Sequence, residues 1–223
     1  MNIPHYLNSS AHERQRRLAG QKLPDPQVAV LWEQALGLVK DFSARQRLMG
    51  AHAYACSLDY KHGGLSSAIY LSHPLRVAAL GLLSDAAEDG DIGVVGLLHN
   101  VLEVSEISKD DIGGKFGKDI AEQISVLTVD RSLQWDQTYK AAYYARINEG
   151  PRAARVVKIF DKLDNIFLLG LNRNADVRMK YLAEIETFVL PMVASDAPEL
   201  SEYFEKLVTE TRQLGFLEPL TNL

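Results

Sequence analysis

The stretch of sequence that decides the fold is VVGLLHNVLEVSE, residues 94–106. It is mostly apolar, yet it places His99 in its middle and follows it with Glu103 and Glu106. Residues three or four apart share one face of a helix, so these side chains are predicted to form a polar stripe on a buried helix. The stripe is either a functional site or the solvated edge of a core helix.

The length and composition of the chain indicate a single folded domain. The 223 residues are 47% hydrophobic, which is enough to bury a full core. The apolar residues recur with helical spacing and no strand-like alternation appears, so we predict an all-α, single-domain helical bundle. We expect an N-terminal arm over residues 1–24, a helical domain over 25–215 and a C-terminal tail over 216–223. Residues 1–24 could be an arm or a short helix ending at Gly20, and we expect a loosely packed terminus rather than a partner-binding segment.

Charge and composition exclude several function classes. A net charge of −5 argues against a nucleic-acid polymer as partner, because such surfaces are usually basic. A small anion needs only a local basic patch and stays admissible. Cys56 is the single cysteine, and no apolar run reaches the length of a membrane span or resembles a signal peptide. We therefore expect a cytoplasmic protein without membrane contact, and leave homo-oligomer formation open.

The region before residue 75 is predicted to contain one long helix, a loop and a second helix start. Residues 28–58 have helical periodicity, and residues 59–70 are loop-like, with Lys61 and His62 beside two glycines. That loop either approaches an anion or is simply solvated. His73 precedes a proline, which favours the first turn of a helix, so its side chain is expected at a helix N-terminus.

A third polar interruption lies in residues 153–173. This largely apolar helix contains Asp161 and Asp164 on one face. Carboxylates in apolar surroundings cost free energy unless they are paired or bind a metal. Lys158 and Lys162 are candidate partners for them.

Three side chains from separate predicted helices form a candidate metal site. His73, His99 and Asp161 would supply two imidazoles and a carboxylate, a set that suits a divalent transition ion with water or phosphate oxygens. The alternative is a helical interaction protein in which these groups are satisfied core residues.

The chain also resembles the HD-domain phosphohydrolases, and within them the hydrolase domain of the RelA/SpoT alarmone enzymes and their small single-domain relatives. The resemblance rests on an ordered set of segments: YLSHPLRVA (70–78), GLLHNVLE (96–103), KFGKDIAEQISVLT (115–128), KIFDKLDNI (158–166) and YLAEIETFVLPMV (181–193). It implies an HD-type helical bundle that binds manganese through His73, His99, Asn100 and Asp161. It also implies removal of the 3′-pyrophosphate from guanosine tetra- or pentaphosphate.

Two of the family's motifs are altered here. The His-Asp pair that names the family is His99-Asn100, and a neutral amide is a poorer ligand than a carboxylate for a hard divalent ion. The catalytic Glu-Asp pair is Glu103-Val104, so Glu103 remains as the candidate catalytic carboxylate.

The later Asp-Arg-Leu-His-Asn motif is altered as well, and reads DKLDN over residues 161–165. The resemblance makes Asn165, together with Lys61 and His62, a candidate nucleotide contact. The roles of Lys162 and Asp164 stay open. Lysine lacks the bidentate fork of arginine, whereas Asp164 would add negative charge one turn from Asp161.

Two readings follow from the resemblance. The first is a metal-dependent phosphohydrolase acting on a phosphorylated guanosine nucleotide or a similar small anion. The second is a non-catalytic member of the same fold that binds a nucleotide or a protein. Loss of both a metal ligand and a catalytic acid slightly favours the second on physical grounds.

Overall fold

A computed structural model describes residues 10–19, 25–61, 65–84 and 90–217 of the chain. Its regular structure is helical, with no strand among these residues, which confirms the predicted all-α class. The α-helices are α1 Ser10–Ala19, α2 Pro26–Leu38, α3 Phe42–Ser57, α4 Ser67–Tyr70, α5 Ser72–Leu83, α6 Asp91–Leu98, α7 Val101–Val104, α8 Lys109–Phe116, α9 Lys118–Leu127, α10 Gln137–Glu149, α11 Arg152–Ile166, α12 Ala175–Glu184, α13 Leu190–Asp196 and α14 Ser201–Leu214. A π-helical turn, Ile185–Val189, joins α12 to α13, and none of the described helices is long and apolar enough to cross a membrane.

Helix α11 lies at the centre of the bundle. It packs against α5 and α6 on one side and against α9, α13 and α14 on others. Its apolar side chains, including Val156, Ile159, Phe160 and Leu163, are fully buried. Because helices contact α11 from several directions, its polar residues between 158 and 164 are buried although the helix also borders a cavity.

Helices α5 and α6 approach each other unusually closely. A Cβ atom on Gly96 of α6 would lie 2.7 Å from the Cα of Ala78 on α5, and one on Gly81 would lie 2.4 Å from the Ile92 side chain. These two contacts also show that the helices run antiparallel. Glycine at residue 96 therefore sets the distance between the helices that carry His73 and His99.

The helix expected over residues 28–58 is two helices. Val39 is extended after α2, and Asp41 caps the start of α3 by accepting a hydrogen bond from the Ala44 amide at 2.7 Å. The helical periodicity persists across this break because both helices bury apolar residues in the same core. The expected loop over 59–70 also ends in the short helix α4, capped by Ser66.

The deciding stretch is interrupted at its histidine. Helix α6 ends at Leu98, a turn contains His99 and Asn100, and α7 follows. Glu106 lies beyond α7, is exposed and pairs with Lys61. The expectation that His99, Glu103 and Glu106 share one face is therefore wrong for Glu106.

The N-terminal segment is better packed than expected. Helix α1 buries Arg14, which donates to the Phe167 carbonyl at 3.3 Å and to Thr211 Oγ1 at 3.1 Å. Arg17 is buried as well. The short helix is thus confirmed over residues 10–19, whereas the expected loose packing is wrong there. Residues 1–9, 20–24 and 218–223 lie outside the described part, and the domain boundaries remain a prediction.

Replacing Gly96 with alanine tests the close approach of α5 and α6. The added methyl would meet backbone atoms of Ala78 that have no room to yield, so we expect a loss of about 1–3 kcal/mol in urea unfolding. Gly114→Ala in α8 is the matched control, because nothing lies within 4 Å of its Cβ position. The control should be neutral or gain up to about 1 kcal/mol. Equal stability changes in the two variants would contradict the packing account.

Candidate metal centre

Three elements bring His73, His99 and Asp161 together, as the sequence predicted. His73 lies in the first turn of α5, His99 follows α6, and Asp161 belongs to α11. Asp161 Oδ1 is 3.4 Å from His73 Nε2 and 3.6 Å from His99 Nε2. The three candidate ligand atoms lie within 4.8 Å of one another.

Both imidazoles are oriented by a hydrogen bond at Nδ1. His73 Nδ1 is 2.8 Å from Asp164 Oδ2, and His99 Nδ1 is 2.7 Å from the Gly96 carbonyl oxygen. A carboxylate and a carbonyl can only accept here, so each Nδ1 carries a proton. Each Nε2 atom is then directed toward Asp161, and both are buried without a hydrogen-bond partner of ordinary geometry.

This donor set fits a divalent metal ion. Buried polar atoms without partners are rare in folded proteins, and the two Nε2 atoms face a carboxylate that shares their pocket. A hydrogen bond from the other ring nitrogen to a carboxylate or carbonyl is the usual arrangement of a metal-binding histidine. Asn100 lines the same cavity and is hydrogen bonded to the Tyr70 hydroxyl.

Neighbouring groups keep Asp161 ionised. Lys158 Nζ is 3.0 Å from Asp161 Oδ2, and Asn165 Nδ2 donates to Oδ1 at 2.7 Å. Burial raises the pKa of Asp161, but Lys158 and the two histidines outweigh it and hold that pKa well below its usual range. Burial likewise lowers the pKa of His73, whereas Asp161 and Asp164 raise it to about 9. In the charged form of His73 the second proton is on Nε2, and a metal ion bound there would take the place of that proton.

Asp164 contacts the other side of the His73 ring. Its carboxylate accepts two hydrogen bonds from Arg76, at 2.8 and 2.9 Å, and lies 3.0 Å from Arg17 Nη1. Burial raises the pKa of Asp164, but Arg76 and His73 lower it overall. Asp164 therefore meets His73 at Nδ1, away from the Nε2 atom that faces Asp161.

Glu103 is a buried carboxylate at the cavity wall. Its Oε1 accepts from the Val129 amide at 2.9 Å, and its Oε2 lies 2.6 Å from Arg131 Nη2. Val104 follows it as a buried apolar residue that also lines the cavity. The Glu103 carboxylate thus reaches the cavity and is held by one hydrogen bond and one ion pair.

The cavity around these groups has a volume of about 720 Å³. Cationic, acidic and aromatic side chains share its wall. The cations are Arg17, Arg76, Arg131, Lys140, Lys158 and Lys162, the acids are Glu103, Asp161, Asp164 and Glu184, and the aromatic residues include Tyr70, Trp135, Tyr139, Tyr143 and Tyr181. This combination suits a ligand that carries both negative charge and an aromatic group.

The candidate nucleotide contacts divide into two sets. Asn165 lines the cavity, and Lys162 lines it as well. Lys162 pairs with Glu184 at 2.7 Å rather than with Asp161 or Asp164, so the predicted pairing is confirmed for Lys158 alone. Lys61 pairs with Glu106 and is not among the described lining residues, and His62 lies outside the described residues.

Sequence reasoning missed Arg17, Arg76 and Glu184. Arg76 had a usable signal, since it lies three residues after His73 in an otherwise apolar helix and a buried arginine needs a buried acid. Arg17 had none, because its partner Asp164 lies 147 residues away in the sequence. Glu184 belongs to the amphipathic stretch 177–190, in which glutamate is expected on the solvent face, but its side chain is 9% exposed and lies between two lysines.

No protein-family model matches the chain. The MESH1 guanosine-3′,5′-bis(diphosphate) 3′-pyrophosphohydrolase of Drosophila melanogaster is 28% identical over 103 residues, 46% of this chain and 57% of that protein. The GTP pyrophosphokinase rsh of Brucella ovis is 31% identical over 153 residues, 64% of this chain and 19% of that protein. The matches therefore span little more than half of MESH1 and about a fifth of rsh.

A solved structure, described as a metazoan orthologue of SpoT that hydrolyses ppGpp, has the same fold. It aligns with a TM-score of 0.58 at 22% identity, over 79% of this chain and 98% of that one. The chain therefore has the helical fold of that structure, and it contains a cluster of two histidines and one aspartate. Its sequence is similar to parts of proteins named as a guanosine-3′,5′-bis(diphosphate) 3′-pyrophosphohydrolase and as a GTP pyrophosphokinase.

Glu184 joins α12 to the cavity through a buried ion-pair cluster. Its carboxylate lies 2.7 Å from both Lys140 Nζ and Lys162 Nζ, and accepts from the Tyr144 hydroxyl at 2.7 Å. Burial raises the pKa of Glu184, but the lysines outweigh it and lower that pKa to about 2. A carboxyl with a lowered pKa stabilises the fold above its unfolded pKa, and that contribution is lost as pH falls through the folded value.

Glu184→Gln should therefore remove a pH-dependent part of the stability. With a folded pKa of about 2 against 4.5, we expect a loss of about 3 kcal/mol at pH 7 in urea unfolding. The difference from wild type should shrink between pH 4.5 and pH 2. Glu186→Gln, which breaks the exposed pair with Arg212, should cost less than about 1 kcal/mol. A pH-independent difference for Glu184→Gln would contradict the assignment.

Proposed function

We propose that this chain is a divalent-metal-dependent hydrolase that removes pyrophosphate from the 3′ position of guanosine 3′,5′-bis(diphosphate), with manganese as its ion. The observation that carries the proposal is the pair of buried Nε2 atoms that face Asp161 Oδ1 at 3.4 and 3.6 Å without a hydrogen bond of ordinary geometry. A core polar cluster would be expected to satisfy these atoms within the protein. The matched relatives named as 3′-pyrophosphohydrolases support the choice of substrate.

His73, His99 and Asp161 would hold the ion, with the Asn100 amide as a weaker fourth donor. Mixed imidazole and oxygen donors without thiolates suit manganese among the divalent ions. When bound, such an ion polarises a phosphoryl oxygen and lowers the pKa of a bound water. The Asp161 carboxylate is kept ionised for this role by Lys158, and Asn165 fixes the orientation of its Oδ1.

The cavity wall supplies the remaining functions. Arg131 and the lysines offer charge-assisted hydrogen bonds to phosphate oxygens, and the buried position of Glu103 suits it to accept a proton from the attacking water. In the overall reaction, the P–O bond between the nucleoside 3′ oxygen and its pyrophosphoryl group breaks. The hydroxyl of water bonds to that phosphorus and the proton goes to the 3′ oxygen, which gives pyrophosphate and guanosine 5′-diphosphate. The tyrosines and Trp135 would exclude bulk water around the nucleoside.

The altered motifs predict a slow enzyme. Asn100 removes one negative charge from the metal site, which should weaken ion binding. Val104 removes a second carboxylate from the turn after the histidine, which should lower the rate. A non-catalytic nucleotide-binding protein of the same fold is the second candidate, and the buried apolar Val104 is the observation that favours it.

Manganese titration of the wild-type protein tests the proposed metal centre. We expect a saturable rise in melting temperature with Mn²⁺, because an ion that binds only the folded state stabilises it. Asp161→Asn should abolish the rise, since it removes the central carboxylate. In the same preparations, release of pyrophosphate from guanosine 3′,5′-bis(diphosphate) should be slow in the wild type and absent in the variant. If Mn²⁺ does not raise the melting temperature and no pyrophosphate is released, the proposal is wrong.

A double variant, Asn100→Asp with Val104→Asp, separates the two candidate functions. Restoring both carboxylates should tighten Mn²⁺ binding by about 10- to 100-fold and speed hydrolysis by roughly 100-fold or more. Ile69→Val, a conservative change elsewhere on the cavity wall, is the control and should alter neither quantity. If the double variant binds Mn²⁺ and nucleotide yet releases no pyrophosphate, the non-catalytic candidate is the correct one.

A further inference from the structure

The Asp164 carboxylate lies beside the metal centre, on the Nδ1 side of the His73 ring. It is 2% exposed and contacts three different side chains: His73, Arg76 and Arg17. Arg76 binds it with two parallel hydrogen bonds, which fixes the plane of the carboxylate as well as its position. A carboxylate fixed in this way can accept a further hydrogen bond from one direction only.

Asp164 is already paired with arginines, so its hydrogen bond with His73 can orient the imidazole ring rather than neutralise the carboxylate. Arg76 and Arg17 lie 2.8 and 3.0 Å from Asp164, closer than their second partners, which are Asp25 at 3.6 Å from Arg76 and Glu13 at 3.2 Å from Arg17. Asp164 is therefore paired with a cation without a positive charge on the imidazole. A neutral His73 can donate from Nδ1 to Asp164 and keep the Nε2 lone pair toward Asp161. Asp164 thus selects the tautomer and the ring direction that a metal-binding histidine needs.

We propose that Asp164, clamped by Arg76 and Arg17, is the positioning residue that aims His73 Nε2 into the metal centre. This inference rests on the proposed metal-dependent function and adds to it a role for α1, which supplies Arg17 from the N-terminal part of the chain. Asp164 acts through His73 and is not itself a ligand.

The competing explanation is that the Asp164 cluster is only a buried ion pair that holds α1, α5 and α11 together. The chain offers a matched control for that case. Asp196 also accepts two hydrogen bonds from an arginine of α11, Arg155, at 2.9 and 3.0 Å, and it is 8% exposed. It is absent from the described lining of the cavity, so its loss should affect stability alone.

The test compares Asp164→Asn with Asp196→Asn by two measurements. Mn²⁺ affinity, measured by calorimetry at one pH, should fall about 10-fold or more in Asp164→Asn and stay within twofold of wild type in Asp196→Asn. Nitrogen-edited NMR of the histidine ring protons should show a slowly exchanging Nδ1 proton of His73 in wild type that disappears in Asp164→Asn. The Nδ1 proton of His99, bonded to the Gly96 carbonyl, is the internal reference and should persist.

Each outcome decides between the explanations. Wild-type Mn²⁺ binding with equal affinity in Asp164→Asn, or an unchanged His73 proton, would overturn the positioning role. If wild type binds no Mn²⁺, the proposed function fails, and the His73 signal alone then decides whether Asp164 orients the ring. If Asp164→Asn does not fold, Arg76→Lys replaces it, because it keeps the acid and its charge partner but removes the bidentate clamp. Arg76→Lys should weaken Mn²⁺ binding by several-fold, and affinity within twofold of wild type would count against the proposal.

Discussion

The structure depends on one constraint: an ionised carboxylate, Asp161, is enclosed in the middle of a helical core. Moving such a group out of water is costly, and the cost must be offset by groups that reach it from several helices. Lys158 and Asn165 do so from its own helix, while the two histidines approach from α5 and α6. The close contact at Gly96 brings those two helices to the distance at which both rings can face the same oxygen.

The altered motifs change the charge of the site more than its shape. Asn100 and Val104 stand where the family that the sequence resembles is expected to have two acids, and Asp164 adds one acid in the later segment. That acid does not restore the lost charge, because it meets His73 at Nδ1 and is compensated by Arg76 and Arg17. The ligand geometry of two imidazoles and one carboxylate is retained, with less negative charge beside it. We therefore propose that metal binding at this site is weakened rather than lost.

How much the sequence predicts depends on whether a feature is local or distant. The sequence alone identifies His73, His99 and Asp161 as polar residues within apolar helices, because helical periodicity assigns each side chain to a face. The helix break after Leu98 could not be predicted in this way, since the apolar pattern continues through the turn at His99 and Asn100. The partners of Asp164 were missed for a different reason. Salt bridges between helices depend on tertiary packing, and no spacing rule connects residue 17 or 76 to residue 164.

The central claim is that His73, His99 and Asp161 form a metal-binding site. Crystals of the wild-type protein soaked in Mn²⁺ and measured at a wavelength that gives anomalous scattering from manganese test it most directly. The account predicts one strong anomalous peak between the two Nε2 atoms and Asp161 Oδ1, at coordination distance from all three. A difference map with no anomalous peak among these three side chains at saturating Mn²⁺ would contradict it.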